Sequence, residues 1–98
     1  MPPIKRRHLP SLGAFATFEV AAKHLSFTLA ARELNVTQGA VSQQIRLLER
    51  ALDMALFIRL HNALELTPQG ASLFQAVTAG LDTISAAVTV LTGDEGPQ

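Results

Sequence analysis

Four residues that start helices well, Ser11, Ser26, Thr37 and Thr67, each head an apolar-periodic segment, and together they fix how the chain is divided. A side-chain oxygen at such a position accepts a hydrogen bond from an otherwise unpaired amide of the first turn. After Pro10-Ser11, the residues Leu12, Phe15, Phe18, Glu19 and Ala22 share one helical stripe that ends near His24. Ser26 opens a short helix over Phe27 to Leu34 with Ala30, Ala31 and Leu34 facing inward, and Asn35-Val36 make a brief turn. Thr37 opens a longer helix, to about Leu52, with Val41, Ile45, Leu48 and Leu52 in one narrow arc. The opposite arc carries Gln38, Ser42, Gln43, Arg46 and Arg50.

From Leu56 to Leu66 the period changes. Leu56, Ile58 and Leu60 alternate, His61-Asn62-Ala63 interrupt, and Leu64 and Leu66 alternate again, which predicts a small hairpin. Thr67-Pro68 restarts a helix, with proline where its missing N–H is harmless, and that helix runs to about Leu91. Within it Phe74, Val77, Leu81, Ile84, Val88 and Leu91 are spaced 3, 4, 3, 4, 3, an a/d heptad seam. The flanking positions Thr78, Gly80, Ser85, Ala87 and Thr92 are small and uncharged, so a second helix can approach without charge steering. Packing on its own domain is the alternative for this stripe. A partner helix is preferred, because a short front half cannot cover more than two heptads.

These segments, in a chain of 98 residues, amount to one small module. With no cysteine, disulfides, thiolate chemistry and Cys-based zinc sites are excluded. No secretory signal pattern is present. The most apolar stretch, Ala71 to Leu91, carries Gln75, Asp82, Thr83 and Ser85, which argues against a membrane partner. Net charge is zero, yet residues 1 to 62 hold all eight Lys and Arg against four carboxylates, and residues 63 to 98 hold the other four carboxylates and no cation. A basic front of +4 is joined to an acidic back of −4. No Ser, His and Asp cluster, glycine-rich phosphate loop or paired carboxylates share an element, so no enzyme, cofactor or metal site is expected. His8, His24 and His61 are scattered over different elements, where surface or capping roles are expected.

Three short helices, the second and third joined by a tight turn and followed by a hairpin, give the order of a winged helix-turn-helix. The expected fold is therefore mainly α: three helices and a small β-hairpin wing over residues 11–66, then a long dimerisation helix over 67–92. Residues 1–10 read as a leader and 93–98 as a frayed tail. A recognition helix over about 37–52 would enter the major groove of double-stranded DNA N-terminus first, presenting Gln38, Ser42 and Gln43 to base edges. Helix N-termini at Ser26 and Thr37 aim amides and dipoles at phosphates, while Arg46, Arg50 and the wing residue Arg59 neutralise backbone charge.

At these residues the sequence closely resembles the LysR-type transcriptional regulators. The resemblance runs over about residues 10 to 90 and is carried by Ser26-Phe27-Thr28, Ala30-Ala31, Leu34, Val36-Thr37-Gln38, Ala40-Val41-Ser42, Gln44-Ile45, Leu48-Glu49, Leu56-Phe57, Arg59, Leu66-Thr67 and Gly70. Residues 35 to 44 look most like the branch of glycine-cleavage and beta-lactamase regulators. The resemblance implies a bacterial, cytoplasmic, nucleoid-associated regulator that forms a homodimer through an antiparallel C-terminal helix. It also implies base contacts at Gln38, Gly39, Ser42 and Gln43, and phosphate contacts at Ser26, Thr28, Thr37 and Arg59. Four positions depart from the family pattern: Gly39 stands for a frequent Pro, Gln43 for a frequent Arg, Asp53 for a near-standard Gly, and Asn62 for the usual second wing Arg. Fewer cations imply weaker nonspecific binding and put the wing contact at Asn62 in doubt. The family's two-lobed effector domain of about 200 residues exceeds what this length holds, so no small-molecule effector is expected to bind here. An excised DNA-binding domain and a naturally shortened regulator both fit that expectation.

Other readings stay open at this level. Gln38, Ser42 and Gln43 suit an ordinary solvated face, Arg46 and Arg50 could bracket Glu49 or pair with Asp53, and Lys5 to Arg7 could be a DNA arm or a solvated leader. His61 and Asn62 lie at the wing tip. A purely helical homodimerisation module without nucleic acid is the alternative function, disfavoured by the +4 front. A winged helix of another family is disfavoured by the spacing from Thr37 to Ser42.

Overall fold

A computed structural model describes residues 9–93. The expected leader and tail, with Lys5 to His8, lie almost wholly outside them. In order the chain forms α1 (Leu12–His24), α2 (Phe27–Leu34), α3 (Gln38–Leu52), β1 (Phe57–Arg59), β2 (Leu64–Leu66) and α4 (Pro68–Thr92).

All four start signals act as caps. The side-chain oxygens of Ser11, Ser26 and Thr37 accept from the amides of Ala14, Leu29 and Ala40 at 3.1 Å, and Thr67 Oγ1 accepts from Gly70 N at 2.9 Å. Each helix ends on a left-handed residue: Leu25 (φ 49°), Asn35 (φ 58°), Asp53 (φ 53°) and Gly93 (φ 71°). Asp53 thus stands where a glycine is conformationally easiest, and its short polar side chain is among the few that tolerate that region.

Helices α1, α2 and α3 pack mutually around Phe18, Ala21, Ala22, Ala30, Ala31, Val41, Ile45 and Leu48. The alanines let the helix backbones come close, while Phe18 and Ile45 fill the centre. The last turn of α1 is tied to α2 at the surface, with His24 Nε2 2.8 Å and Lys23 Nζ 3.1 Å from Glu33 Oε1. The hydrogen bonds from His24 and then Lys23 hold the Glu33 carboxyl below the usual carboxylate range.

The hairpin is shorter than its alternation predicts. Only three residues per strand pair, antiparallel, with Phe57 opposite Leu66, Ile58 opposite Glu65 and Arg59 opposite Leu64. Leu56 and Phe57 are both buried, whereas Ile58 and Leu60 are 41% and 49% exposed. Leu56 reaches the core from the segment before the strand, so the inward face of β1 begins at Phe57 and brings Arg59 to the same side. The stripe on α1 is also displaced: Thr17 and Ala21 are buried, Phe15 is half-buried and Leu12 is 62% exposed.

The heptad seam of α4 divides in two. Val77 is buried, and Leu73, Phe74 and Leu81 pack against the core, so this half serves its own domain. Ile84, Val88 and Leu91 are exposed, Leu91 by 84%. Leu12 and Phe15 of α1 face Leu73, Ala76, Gly80, Leu81 and Ile84 across a shallow apolar groove. By length and composition α4 is apolar enough to cross a membrane, with mean hydropathy 1.4 over its best window. Its first half is instead committed to the domain core, and Asp82 sits mid-helix.

The peptide at Leu56 joins α3, the wing and α4. Glu49 Oε2 accepts from the amides of Leu56 at 2.7 Å and Phe57 at 3.2 Å. Thr67 donates its amide to the Leu56 carbonyl at 3.1 Å and its hydroxyl to the Ala55 carbonyl at 2.7 Å. A Cβ on Gly70 would lie 2.1 Å from that Leu56 oxygen, so only glycine lets α4 start there. Gly70→Ala is expected to cost about 1–3 kcal/mol of stability through this overlap with backbone, measured by urea unfolding.

Candidate nucleic-acid interface

The turn between α2 and α3 is closed by backbone. Asn35 N–H donates to the Arg32 carbonyl at 3.3 Å and Val36 N–H to the Ala31 carbonyl at 3.0 Å, the pattern of a helix stop. Thr37 then caps α3, whose buried line of Val41, Ile45 and Leu48 leaves the opposite arc outward. Gln38, Gly39 and Gln43 are exposed and Ser42 is partly buried on the first turns, with Arg46 and Arg50 exposed farther along. Nothing lies within 4 Å of a Cβ built on Gly39.

Among the described residues the only ion pairs are those of Glu33 with Lys23 and His24. Arg46 and Arg50 therefore neither bracket Glu49, whose carboxylate turns inward to the Leu56 and Phe57 amides, nor pair with Asp53. No carboxylate among the described residues pairs with the cations of this face. Ser26 and Thr37 use their oxygens as internal caps, which keeps the first turns of α2 and α3 in place with Thr28 exposed beside Ser26. His61 and Asn62 are exposed at the wing tip, where Leu60 N–H donates to the Ala63 carbonyl at 2.8 Å.

Arg59 is a predicted site cation placed by two side-chain contacts. Its guanidinium lies 4.9 Å from the centroid of the Phe27 ring, and Nη1 donates to Ser42 Oγ at 3.4 Å. Phe27 meets Phe57 edge-on at 5.3 Å, and Phe57 meets Phe18 at 5.6 Å, so a chain of three rings runs from the core to Arg59. The sequence reading singled out Arg59 and Ser42 separately and missed Phe27 as their platform. Phe27 follows the Ser26 cap at the start of α2 and Arg59 ends β1, 32 residues later, so no local pattern announces the stack. No group of three or more His, Asp or Glu side chains suited to a metal occurs among the described residues.

The family model for bacterial regulatory helix-turn-helix proteins of the lysR family matches residues 12–71. The chain belongs to that family. It is 53% identical over 78 residues to an HTH-type transcriptional activator AmpR of Providencia stuartii, covering 80% of this chain and 27% of that protein. It is also 53% identical over 68 residues to the glycine cleavage system transcriptional activator of Escherichia coli, covering 69% of this chain and 22% of that one. A carbapenem-hydrolyzing beta-lactamase transcriptional activator of Enterobacter cloacae, 46% identical over 83 residues, is also among its relatives. Regulators of both kinds in the branch that residues 35 to 44 resemble are thus represented, and the chain spans about a quarter of their length. Among solved structures, the BenM DNA-binding domain in complex with catB site 1 DNA superposes with TM-score 0.82 at 27% identity, covering 91% of this chain and 100% of that one. The winged helix-turn-helix with a long final helix is therefore the family fold.

Gly39 sits in the first turn of α3 with open space around it, so a methyl there meets no protein atom. Gly39→Ala is expected to raise stability by about 0.5–1 kcal/mol by restricting the unfolded chain, read as a shift in the denaturation midpoint.

Proposed function

We propose that this chain is the DNA-reading and dimerising part of a transcriptional regulator, with residues 11–66 reading DNA and α4 pairing two copies. The reading is non-catalytic and places the protein in the bacterial cytoplasm, at the nucleoid when bound. The observation that carries it is the outward arc of α3, where Gln38, Ser42 and Gln43 stand beside unpaired Arg46 and Arg50 and the wing's Arg59. An α-helix of this kind fits the major groove, amide side chains match the adenine edge, and arginines serve the phosphates. The relative solved with DNA supports the same use of the same fold. In a homodimer two such helices would lie about 34–36 Å apart, in successive major grooves of a partly palindromic site.

Pairing rests on the second half of the seam. Ile84, Val88 and Leu91 project from α4 with small residues on either side, and Leu12 and Phe15 widen the apolar surface. Antiparallel packing of two α4 helices would cover them. The purely helical module leaves the unpaired arginines of α3 without a role and is the weaker reading.

Affinity for duplex DNA is expected to fall linearly on a log–log plot against salt, measured by fluorescence anisotropy; binding indifferent to salt would refute the DNA reading. Gln43→Ala should change the ranking of sites more than the affinity for nonspecific duplex, and equal loss on every duplex would remove Gln43 from base readout. Val88 is 51% exposed and touches no core, so Val88→Asp should yield folded monomers in sedimentation experiments. A persistent dimer would place the interface elsewhere.

A further inference from the structure

Arg59 makes two side-chain contacts within the protein that a phosphate contact alone does not require. The ring beneath its guanidinium belongs to buried Phe27, itself fixed by Phe57, and its Nη1 hydrogen is directed at Ser42 Oγ. A hydroxyl offers one donor and two lone pairs, whereas a guanidinium offers donors alone. With a lone pair of Ser42 facing the cation, the hydroxyl hydrogen is repelled from that side and turned outward along α3. A free serine serves donor and acceptor edges alike, which is why serine by itself discriminates poorly between bases.

We propose that Arg59 sets Ser42 as a hydrogen-bond donor, so that the half-site position facing Ser42 is read through an acceptor: a purine N7, guanine O6 or thymine O4, and not an amino group. This inference rests on the DNA-binding reading above. Arg59 is then a positioning residue for Ser42. Its other N–H groups, of the five on a guanidinium, remain available to a phosphate, so one side chain joins backbone anchoring to base choice. The wing thereby acts on the major groove without entering it.

The test selects bound duplexes from random DNA with the wild type, Ser42→Ala, Arg59→Lys and the double variant. Lysine keeps the charge but loses the planar stack and the fixed fork. Ser42→Ala and Arg59→Lys should each flatten base preference by about tenfold at the same half-site position, the scale of one good base contact, and the double variant should be no flatter. Affinity of Arg59→Lys for nonspecific duplex should stay within about threefold of the wild type, because phosphate attraction follows charge. A wild type that selects no site overturns both this inference and the DNA reading. A wild type that selects a site, while Arg59→Lys keeps full preference at the Ser42 position, overturns this inference alone. The wild type also tests it without any variant. Duplexes lacking one acceptor at that position, with 7-deazapurine for purine, 2-aminopurine for guanine or 5-methyl-2-pyrimidinone for thymine, are compared with the natural site. One of them should bind about tenfold more weakly. Equal binding by every such analogue overturns the inference.

Discussion

The carboxylate of Glu49 and the peptide it holds at Leu56 are the hinge on which the arrangement depends. One oxygen takes the amides of Leu56 and Phe57, while Thr67 takes the carbonyls of Ala55 and Leu56 from the other side. A charged acceptor facing backbone donors in a partly buried setting gives short, directional bonds. These bonds fix where β1 departs from α3 and where α4 begins. Those two directions bring Arg59 over Phe27 and set the first half of α4 against the core, leaving Ile84, Val88 and Leu91 bare.

What was legible in the sequence was what depends on local spacing. Ser11, Ser26, Thr37 and Thr67 act within their own first turns, and the arc of Val41, Ile45 and Leu48 is a property of one helix, so both survive folding unchanged. What was hidden depends on partners distant in the chain. Glu49 looks like one more charge between Arg46 and Arg50 until the Leu56 and Phe57 amides are placed beside it. The alternation of Leu56, Ile58 and Leu60 misled because a three-residue strand has only Phe57 and Arg59 on its inner side, and the burial of Leu56 comes from the connection. Likewise the seam on α4 reads as one periodic line, although α1 covers its first half and leaves the second bare.

The zero net charge conceals this division of labour. The reading half concentrates cations and leaves those of α3 without carboxylate partners, since Glu49 is spent on backbone and Glu33 on Lys23 and His24. The described part of α4 holds one charge, Asp82, so helix pairing is left to shape and apolar area. In the function proposed above, attraction to a polyanion and self-association would thereby be driven by different forces. Salt weakens the first far more than the second.

The departures from the family pattern bear on the same balance. Gln43 in place of arginine and Asn62 in place of a second wing cation remove charge from the reading face and add neutral hydrogen-bonding groups. If this face reads DNA as proposed, fewer cations would gain less from any duplex, and a larger fraction of the binding energy would come from contacts that depend on the base. In such a face the orientation of a single hydroxyl carries more weight than it would beside several arginines. Arg59, over Phe27 and 3.4 Å from Ser42 Oγ, is the residue that would supply that orientation in the inference proposed above, together with positive charge on the wing.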